Sequence, residues 1–431
     1  MTMDAQRRVF AGDLLIRENK IAELGESITA PTNADVIDAR NTFVIPGLIQ
    51  AHTHLCQALF RGMADDLELL DWLRKKIWPF EAAHTPTSMS ASAEIGLLEM
   101  QLLGTTSILD MASVNHTDAV FAAAEKSGMR YWGGNCLMDL RATSGPLFLD
   151  TKKSLAECER LLKKWHLKTP LLQYAISPRF VISCTEKILK EVVRFQKANN
   201  LILHTHASEN KSEVALVRKR SGVGNVEYLK RLDLLNERTV IAHGIHLSKK
   251  EVGQFIKAQA GLVHCPSSNL KLASGFAPIT QYTRAGMKVA LGSDGAPCNN
   301  TMDPFMEMRL AALLQKPMFG PTAMPAKLAF ELATLGGAKV LGVQDKLGSL
   351  EVGKLADFVL VRRNHPSIAT VEDPYSALVY SSSGRDVKDV CINGRWVVRD
   401  GVHQIFNSEQ TIKNALSELK KLKPSSARKS R

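Results

Sequence analysis

The chain has 431 residues, of which 45% are hydrophobic and 23% are charged, and its formal net charge is +12. The length allows a barrel domain of roughly 250–350 residues with a smaller second domain, and no run of about 18 uncharged apolar residues predicts a membrane span. Seven basic residues and one acid between positions 413 and 431 carry half of the net charge, so the charge predicts a solvated tail and not a specific nucleic-acid partner.

The seven cysteines are dispersed and the N-terminus lacks an apolar signal core. Unpaired cysteine spacing is typical of reduced thiols, and the absence of a signal pattern argues against secretion by that route. These features predict a cytoplasmic protein.

Short apolar runs near both ends of the chain predict one small β-sandwich domain formed by the two termini. Strands are expected at 13–17, 20–24 and 35–39, and again at 357–361 and 390–398. Asn393-Gly394 predicts a hairpin turn, because a type I′ turn needs positive φ at both central residues. The predicted domains are residues 1–45 and 348–405 (the two parts of the β domain), 46–347 (the barrel) and 406–431 (a C-terminal helix with a basic, disordered tail).

Between these ends, helical and strand patterns alternate, which favours a parallel sheet. We therefore predict an α/β fold with a (β/α)₈ barrel. Ser248, followed three residues later by Glu251, predicts a helix start with a capping box. The other predicted helices are 91–103, 155–165, 186–197, 322–335 and 407–422.

The first predicted barrel strand, residues 44–54, ends in His52-Thr53-His54. Residues i and i+2 of a strand point to the same face, so the two imidazoles project together. Neutral imidazoles are common ligands of Zn²⁺ and Fe²⁺. An isolated His-x-His is a weak signal, since two incidental strand histidines would look the same.

Later apolar runs also end in polar residues that can bind metal or move protons: His204-Thr205-His206, His243, His264 and Asp294. The carboxyl ends of parallel barrel strands are where such barrels build active sites. Each residue alone has a structural interpretation: His243 and His264 as core histidines, and Asp294 as a turn residue. His246 is expected in the core, whereas His84, His116, His166, His365 and His403 are expected at the surface.

The simplest assembly is one metal ion held by His52, His54, His206 and Asp294, with a coordination position left for water. We prefer His206 to His204 because Glu209 then follows three residues later and returns a carboxylate to that water. The expected cofactor is one divalent ion per chain, Zn²⁺ or alternatively Fe²⁺. Asp294, Glu209 and His243 are the predicted catalytic residues, acting in proton transfer and charge stabilisation. Glu209 could equally be a helix-end acid.

These motifs together resemble the amidohydrolase superfamily, in the branch with S-adenosylhomocysteine, methylthioadenosine and 5′-deoxyadenosine deaminases, triazine hydrolases and guanine deaminases. The resemblance runs from about Gly12 to Val402. It implies that the barrel is a TIM-like barrel of the metal-dependent hydrolase type. It also implies metal ligands at His52, His54, His206 and Asp294, and proton transfer by Glu209 and His243. The matching runs are 46–54, 59–67, 72–79, 206–209, 264–269, 293–296 with 299–300, and 348–357.

Two groups of residues point to different substrates. Glu81, just after Trp78-Pro79-Phe80, resembles the ribose-binding Glu of adenosine-type deaminases, whereas Gln57, Arg179 and Phe180 resemble the base-reading residues of guanine deaminases. Arg179 could equally form a barrel-mouth salt bridge, and Trp72 and Trp78 could be core or pocket lid. The predicted substrate-binding residues are Gln57, Trp78, Glu81, Arg179 and Phe180.

The resemblance implies a metal-dependent aminohydrolase that deaminates a 5′-modified adenosine. Guanine deamination is the alternative, and triazine hydrolysis is a third possibility. A non-catalytic metal-binding scaffold is the alternative outside the enzymes. The expected partner is a small purine nucleoside or base. A homo-oligomer is expected, with no membrane and no specific nucleic acid.

Overall fold

The computed structural model describes residues 1–422, so the predicted basic tail lies largely outside the described residues. Strands and helices alternate through most of the chain. The strands are β1 Asp13–Arg17, β2 Lys20–Gly25, β3 Thr42–Pro46, β4 Leu48–Thr53, β5 Thr105–Met111, β6 Arg130–Gly134, β7 Cys136–Leu137, β8 Leu172–Pro178, β9 Ile202–Ala207, β10 Thr239–His243, β11 Gly261–His264, β12 Lys288–Leu291, β13 Phe358–Arg362, β14 Val387–Ile392, β15 Arg395–Arg399 and β16 Val402–His403.

The helices cover the outside of the barrel and the loops at its carboxyl end. Within residues 1–422, no helix combines the length and apolarity that a membrane crossing requires. The helices are α1 Leu69–Trp72, α2 Trp78–Ala83, α3 Pro86–Leu102, α4 Thr117–Ser127, α5 Arg141–Ser144, α6 Thr151–Trp165, α7 Glu186–Asn199, α8 Lys211–Ser221, α9 Asn225–Arg231, α10 Lys249–Ala258, α11 Pro266–Lys271, α12 Ile279–Arg284, α13 Ala296–Asn299, α14 Pro304–Phe319, α15 Ala326–Leu332, α16 Leu335–Leu341, α17 Pro374–Ser376 and α18 Ser408–Lys421.

Eight parallel strands form the barrel in the order β4-β5-β6-β8-β9-β10-β11-β12, and the short β7 pairs beside β8. The ring closes between β12 and β4, where Thr53 pairs with Asp294 and the Asp294 amide donates to the His52 carbonyl over 3.1 Å. The predicted (β/α)₈ barrel is confirmed. All eight strands contribute to one buried apolar cluster inside the ring, with Ile49, Leu109, Trp132, Ala175, Ile202, Val240, Val263 and Ala290.

The small β domain draws on both ends of the chain, as predicted. Its antiparallel sheet has the order β16-β15-β14-β13-β3, and Phe358 of β13 lies opposite Pro46 of β3. The β1–β2 hairpin covers this sheet, because Leu14 and Leu24 pack on the cluster that contains Phe358 and Leu360. The domain boundaries at 46, 348 and 406 stay predictions.

The predicted strand at 35–39 is wrong. These residues have no regular secondary structure, and Val36 is 75% exposed. The acid of Asp38 instead accepts hydrogen bonds from the guanidinium of Arg40 at the surface. An alternating pattern without a partner strand does not stabilise a strand, because its backbone groups remain unpaired.

Other local predictions are confirmed or shifted for identifiable reasons. Asn393 and Gly394 have φ of 53° and 77° and connect β14 to β15, as a type I′ turn requires. Ser248 and Glu251 form the predicted capping box. The helix expected from 322 begins at Ala326, because Pro325 disfavours helical backbone in the residue before it and itself serves as the N-cap.

A buried ion pair joins the barrel to the small domain. Arg130, the first residue of β6, donates from Nε and Nη2 to the two carboxylate oxygens of Asp357 at 2.9 and 2.8 Å. Both side chains are at most 4% exposed. The backbone amide of Asn393 also donates to Asp357 over 2.8 Å, so this carboxylate holds three segments together.

We expect Asp357→Ala to lower the free energy of unfolding by about 3–5 kcal/mol, because it leaves the Arg130 guanidinium without its carboxylate in a buried position. Urea denaturation followed by circular dichroism measures the change. The control is Asp38→Ala, which removes the exposed pair with Arg40 and should leave the transition midpoint within error. Equal shifts in both variants would contradict a special role for the buried pair.

Candidate active site

Four histidines and one aspartate converge at the carboxyl end of the barrel. His52 and His54 come from the end of β4, His206 from β9, His243 from the end of β10, and Asp294 from the loop after β12. Each is at most 8% exposed. The Nε2 atoms of His52 and His54 lie 3.3 and 3.5 Å from Oδ1 of Asp294, and the Nε2 atoms of His54 and His206 are 3.2 Å apart. The sequence-predicted ligands are therefore brought together.

The tautomers of two histidines follow from their hydrogen bonds. Nδ1 of His54 lies 2.8 Å from the carbonyl of Met111, and Nδ1 of His206 lies 2.7 Å from the carbonyl of Arg179. A carbonyl only accepts, so each Nδ1 carries the proton. Nε2 of each ring is then left with a lone pair that points into the cluster, which is the orientation of a metal-binding imidazole.

Burial also keeps the cluster's imidazoles neutral. Desolvation lowers the pKa of His52 and His206, and it lowers that of His54 to about 4. Nε2 of His52 has no hydrogen-bond partner among the described residues, although it is fully buried. Neutral imidazoles around one carboxylate, with an unsatisfied nitrogen facing them, fit a divalent ion of the Zn²⁺ or Fe²⁺ type.

His204 and His206, the two alternatives for the third histidine ligand, have different positions relative to the cluster. Nε2 of His204 lies 2.8 Å from Nδ1 of His52, on the side of that ring away from Asp294. His204 therefore contacts a predicted ligand from behind, whereas His206 faces the cluster. The positions favour His206 as ligand and His204 as the residue that orients His52.

Glu209 and His243 face the cluster from one side. Nε2 of His243 lies 3.5 Å from Glu209 Oε2 and 3.8 Å from Asp294 Oδ2. Burial, with the nearby charge of Asp294, raises the pKa of Glu209 well above its ordinary value. A carboxyl with a raised pKa holds its proton to higher pH than an ordinary glutamic acid, which suits it to proton donation. The position thus suits the predicted proton transfer, and the helix-end interpretation is weaker, because α8 begins two residues later with Asn210 as its cap.

The backbone around the cluster is unusual. Ser208, His243 and Asp294 have φ of 56°, 73° and 62°. Residues other than glycine seldom adopt this left-handed region, and such conformations concentrate at functional sites. These turns aim side chains from the strand ends toward one point.

The predicted substrate-binding residues divide into two groups. Arg179 and Phe180 line the cavity in front of the cluster, together with Leu69, Trp72, Leu73 and Leu272. Gln57, Trp78 and Glu81 are buried and are not among the residues that line this cavity. Trp72 therefore has the pocket position that the sequence left open, and Trp78 packs beside Phe180 with ring centroids 6.5 Å apart.

Glu81 lies behind Arg179 and pairs with it. Its carboxylate accepts two bonds from the guanidinium of Arg179, at 2.9 and 3.0 Å, one from Gln57 Nε2 at 2.9 Å and one from Ser113 Oγ at 3.1 Å. Burial alone would raise the pKa of Glu81, but Arg179 holds it below its ordinary value. All the strong acceptor positions of this carboxylate are in use. Arg179 forms this salt bridge and also lines the cavity, so its role in substrate binding stays a prediction.

Several supporting residues of the site were not predicted from the sequence. Ser268 donates to Asp294 Oδ2 over 2.6 Å, and Asn269 Oδ1 lies 2.9 Å from His243 Nδ1; both stand in the 264–269 motif, so spacing could have found them. Glu213 lines the cavity and accepts from the Glu209 amide over 2.9 Å. Burial raises the pKa of Glu213 to about 8. Its i+4 spacing from Glu209 was a usable signal, whereas Ser113 had none.

Two surface predictions are wrong. His84 and His403 are each 5% exposed. Nε2 of His84 bonds the Cys56 carbonyl and Nε2 of His403 bonds Gln101 Oε1. Polar neighbours in the sequence do not show that a histidine is exposed, because a neutral ring with a hydrogen-bond partner is readily buried. His264 is buried as the core interpretation expected, yet neither ring nitrogen has a partner among the described residues.

Comparison with known proteins agrees with this site. The model of the Amidohydrolase family matches residues 43–397, and the chain belongs to that family. It is 38% identical over 410 residues (94% of this chain, 93% of the relative) to a 5′-deoxyadenosine deaminase of Methanothermobacter thermautotrophicus. It is 37% identical over 419 residues (96% and 95%) to a 5-methylthioadenosine/S-adenosylhomocysteine deaminase of Bacillus cereus.

Solved structures are similar over nearly the whole chain. An adenosine deaminase from Xanthomonas campestris with bound zinc has a TM-score of 0.87 at 29% identity, with 95% of this chain and 93% of that one covered. A zinc-complexed atrazine chlorohydrolase from Arthrobacter aurescens has a TM-score of 0.92 at 25% identity, with 97% of each chain covered. Guanine deaminase of E. coli has a TM-score of 0.81 at 28% identity, with 90% and 92% covered.

We expect His206→Ala to lose its metal, because a ligand nitrogen disappears from a four-ligand site. His204→Ala should still be purified with about one ion per chain, with affinity weakened by about 10–100-fold through loss of the bond that orients His52. Inductively coupled plasma mass spectrometry and chelator titration measure both quantities. Retention of metal by His206→Ala together with loss by His204→Ala would reverse the assignment.

We expect Glu209→Gln to keep the metal and the fold but to lose about 10²–10⁴-fold in kcat, the range for a general acid–base group. The substitution keeps the shape of the side chain and removes its proton exchange. Ammonia release gives kcat, and metal content with the circular dichroism spectrum serves as the control. A wild-type rate in this variant would reduce Glu209 to a structural acid.

Proposed function

We propose that the chain is a metal-dependent aminohydrolase that releases ammonia from the purine ring of a 5′-modified adenosine, such as 5′-deoxyadenosine, methylthioadenosine or S-adenosylhomocysteine. The observation that carries the proposal is the buried cluster of His52, His54, His206 and Asp294, with Glu209 beside it at the cavity wall. Relatives named for deamination of these nucleosides, similar over almost the full length, support the substrate class.

The proposed cofactor is a single Zn²⁺ per chain, with Fe²⁺ as the alternative. Zinc-containing structures of similar proteins support this choice. When bound, such an ion would activate water as a nucleophile at neutral pH. His52, His54, His206 and Asp294 would hold it.

The remaining chemistry belongs to three side chains. Asp294, whose Oδ2 is fixed by Ser268, accepts the proton that the attacking water releases. Glu209 donates a proton to the purine ring nitrogen or to the departing amine, because its pKa is raised. His243 donates from Nδ1 to Asn269 Oδ1, which leaves its Nε2 lone pair facing Glu209 and Asp294. Once Nε2 takes up a proton, the imidazolium stabilises the negative charge that develops on the attacking oxygen. Water and the aminopurine thus become the oxopurine and ammonia.

Guanine is the second candidate substrate, and one observation favours it. Arg179 and Phe180 reach the cavity wall, whereas the carboxylate of Glu81 is saturated by four donors. Glu81 can accept hydrogen bonds from the two hydroxyls of a ribose only if Arg179 or Gln57 gives up a hydrogen bond to the Glu81 carboxylate. Similarity over the full chain still favours the nucleoside.

The non-catalytic scaffold is disfavoured, because Glu209, His243 and Asp294 are present and face one another. Triazine hydrolysis remains the third candidate. A cytoplasmic location and a homo-oligomeric state stay predictions.

We expect kcat/KM for 5′-deoxyadenosine or S-adenosylhomocysteine to exceed that for guanine by at least about tenfold, a difference of about 1.4 kcal/mol in transition-state stabilisation. Ammonia release by the zinc-loaded enzyme, measured with the three substrates side by side, gives the ratio. A tenfold preference for guanine would overturn the nucleoside assignment. The matched variant is Glu81→Gln, which should reduce nucleoside turnover more than guanine turnover if Glu81 reaches the ribose.

A further inference from the structure

A second cavity of about 370 Å³ lies at the end of the barrel opposite the catalytic cluster. Arg130 and Gln173 line it from the starts of β6 and β8, whereas the catalytic residues follow strand ends. Lys20 and Asn393 line it from the small domain. This cavity, which we call the basal cavity, therefore lies between the barrel and the small domain and does not overlap the proposed active site.

Two residues that line the basal cavity each have a donor without an acceptor among residues 1–422. Trp132 as a whole is 2% exposed. Its indole N–H forms no hydrogen bond with any residue in 1–422, and the indole nitrogen is accessible to solvent. Arg130 uses Nε and Nη2 for Asp357, which leaves Nη1 without a partner in the described part of the chain. Both residues line the cavity, so these donors are free to bind an acceptor there.

The charge around the basal cavity is positive. Lys20 and Lys346 line it. Both residues are exposed, and neither has a carboxylate within ion-pair distance among residues 1–422. The third cation, Arg130, is neutralised by Asp357. No acidic side chain belongs to the described lining. Two uncompensated charges beside a partly enclosed space favour an anion.

The lining also has an apolar part. Trp132, Pro170 and Leu347 are among the lining residues, and they can contact a flat or apolar group. The volume falls in the range of small-molecule sites, which combine apolar walls with a few polar groups that fix orientation. Inorganic phosphate alone would leave the apolar wall uncovered.

We propose that the basal cavity binds a small organic anion, with its carboxylate or phosphate group at Lys20 and Lys346 and its ring or apolar body against Trp132 and Pro170. Such a ligand bridges the barrel and the small domain, because the two groups of lining residues come from the two parts of the fold. The inference does not depend on the reaction proposed above.

The test is isothermal titration calorimetry on the full-length, zinc-loaded protein with four probes: phenyl phosphate, benzoate, inorganic phosphate and phenol. We expect phenyl phosphate or benzoate to bind with a Kd near or below about 1 mM and at least tenfold more tightly than phenol and inorganic phosphate. The tighter of the two aromatic anions identifies the preferred acidic group. No binding by either, or equal binding by phenol, overturns the proposal.

Variants separate the basal cavity from the metal site, where a phosphate or carboxylate could also bind. Lys346→Glu should raise the Kd of the aromatic anion at least tenfold, because it reverses a charge at the cavity. Trp132→Phe should weaken binding less, since it removes only the N–H donor and keeps most of the packing. Lys152→Glu reverses an exposed lysine of α6 and should have no effect. Unchanged binding in Lys346→Glu would place the anion elsewhere and overturn the proposal.

Discussion

The seam between β12 and β4 is the interaction on which both the barrel and its site depend. The amide of Asp294 donates to the carbonyl of His52, and Thr53 pairs with Asp294 across the same seam. A Cβ at Gly292 would lie 2.7 Å from the His52 carbonyl oxygen, so only glycine lets the strands approach this closely. Closing the ring therefore brings the carboxylate of Asp294 against the imidazoles of the first strand.

The site is held in place by hydrogen bonds to oxygens that can only accept. Carbonyls accept from Nδ1 of His54 and His206, and Ser268 donates to Asp294. Desolvation keeps the rings neutral, so the lone pairs face one another at short distance. Lone pairs that face one another are unfavourable unless they share a cation. A bound cation would therefore account for the burial of several unprotonated histidine nitrogens at one point.

Much of this arrangement could be predicted from the sequence. The two-residue spacing of His52 and His54 and the polar ends of successive strands depend only on strand geometry and on barrel topology. The choice of His206 over His204 followed from the position of Glu209 and stays a prediction; in the structure His206 faces the cluster, and His204 lies behind His52. The Asn393-Gly394 turn was predictable because its backbone requirement is local.

What failed depended on contacts between distant segments. The strand at 35–39 had a plausible pattern but no partner, and the burial of His84 and His403 depends on acceptors at Cys56 and Gln101. The pairing of Glu81 with Arg179 could not be predicted from the sequence either, because the two residues are 98 positions apart. Arg179 lines the cavity and covers the Glu81 carboxylate that is expected to bind a ribose, so this ion pair bears directly on substrate choice.

Anomalous X-ray diffraction at the zinc edge, on crystals of the zinc-loaded protein, tests the central claim most directly. The account predicts one strong peak per chain, within bonding distance (about 2.0–2.2 Å) of Nε2 of His52, His54 and His206 and of a carboxylate oxygen of Asp294. A peak ligated by His204 in place of His206, or a peak outside this cluster, would contradict it.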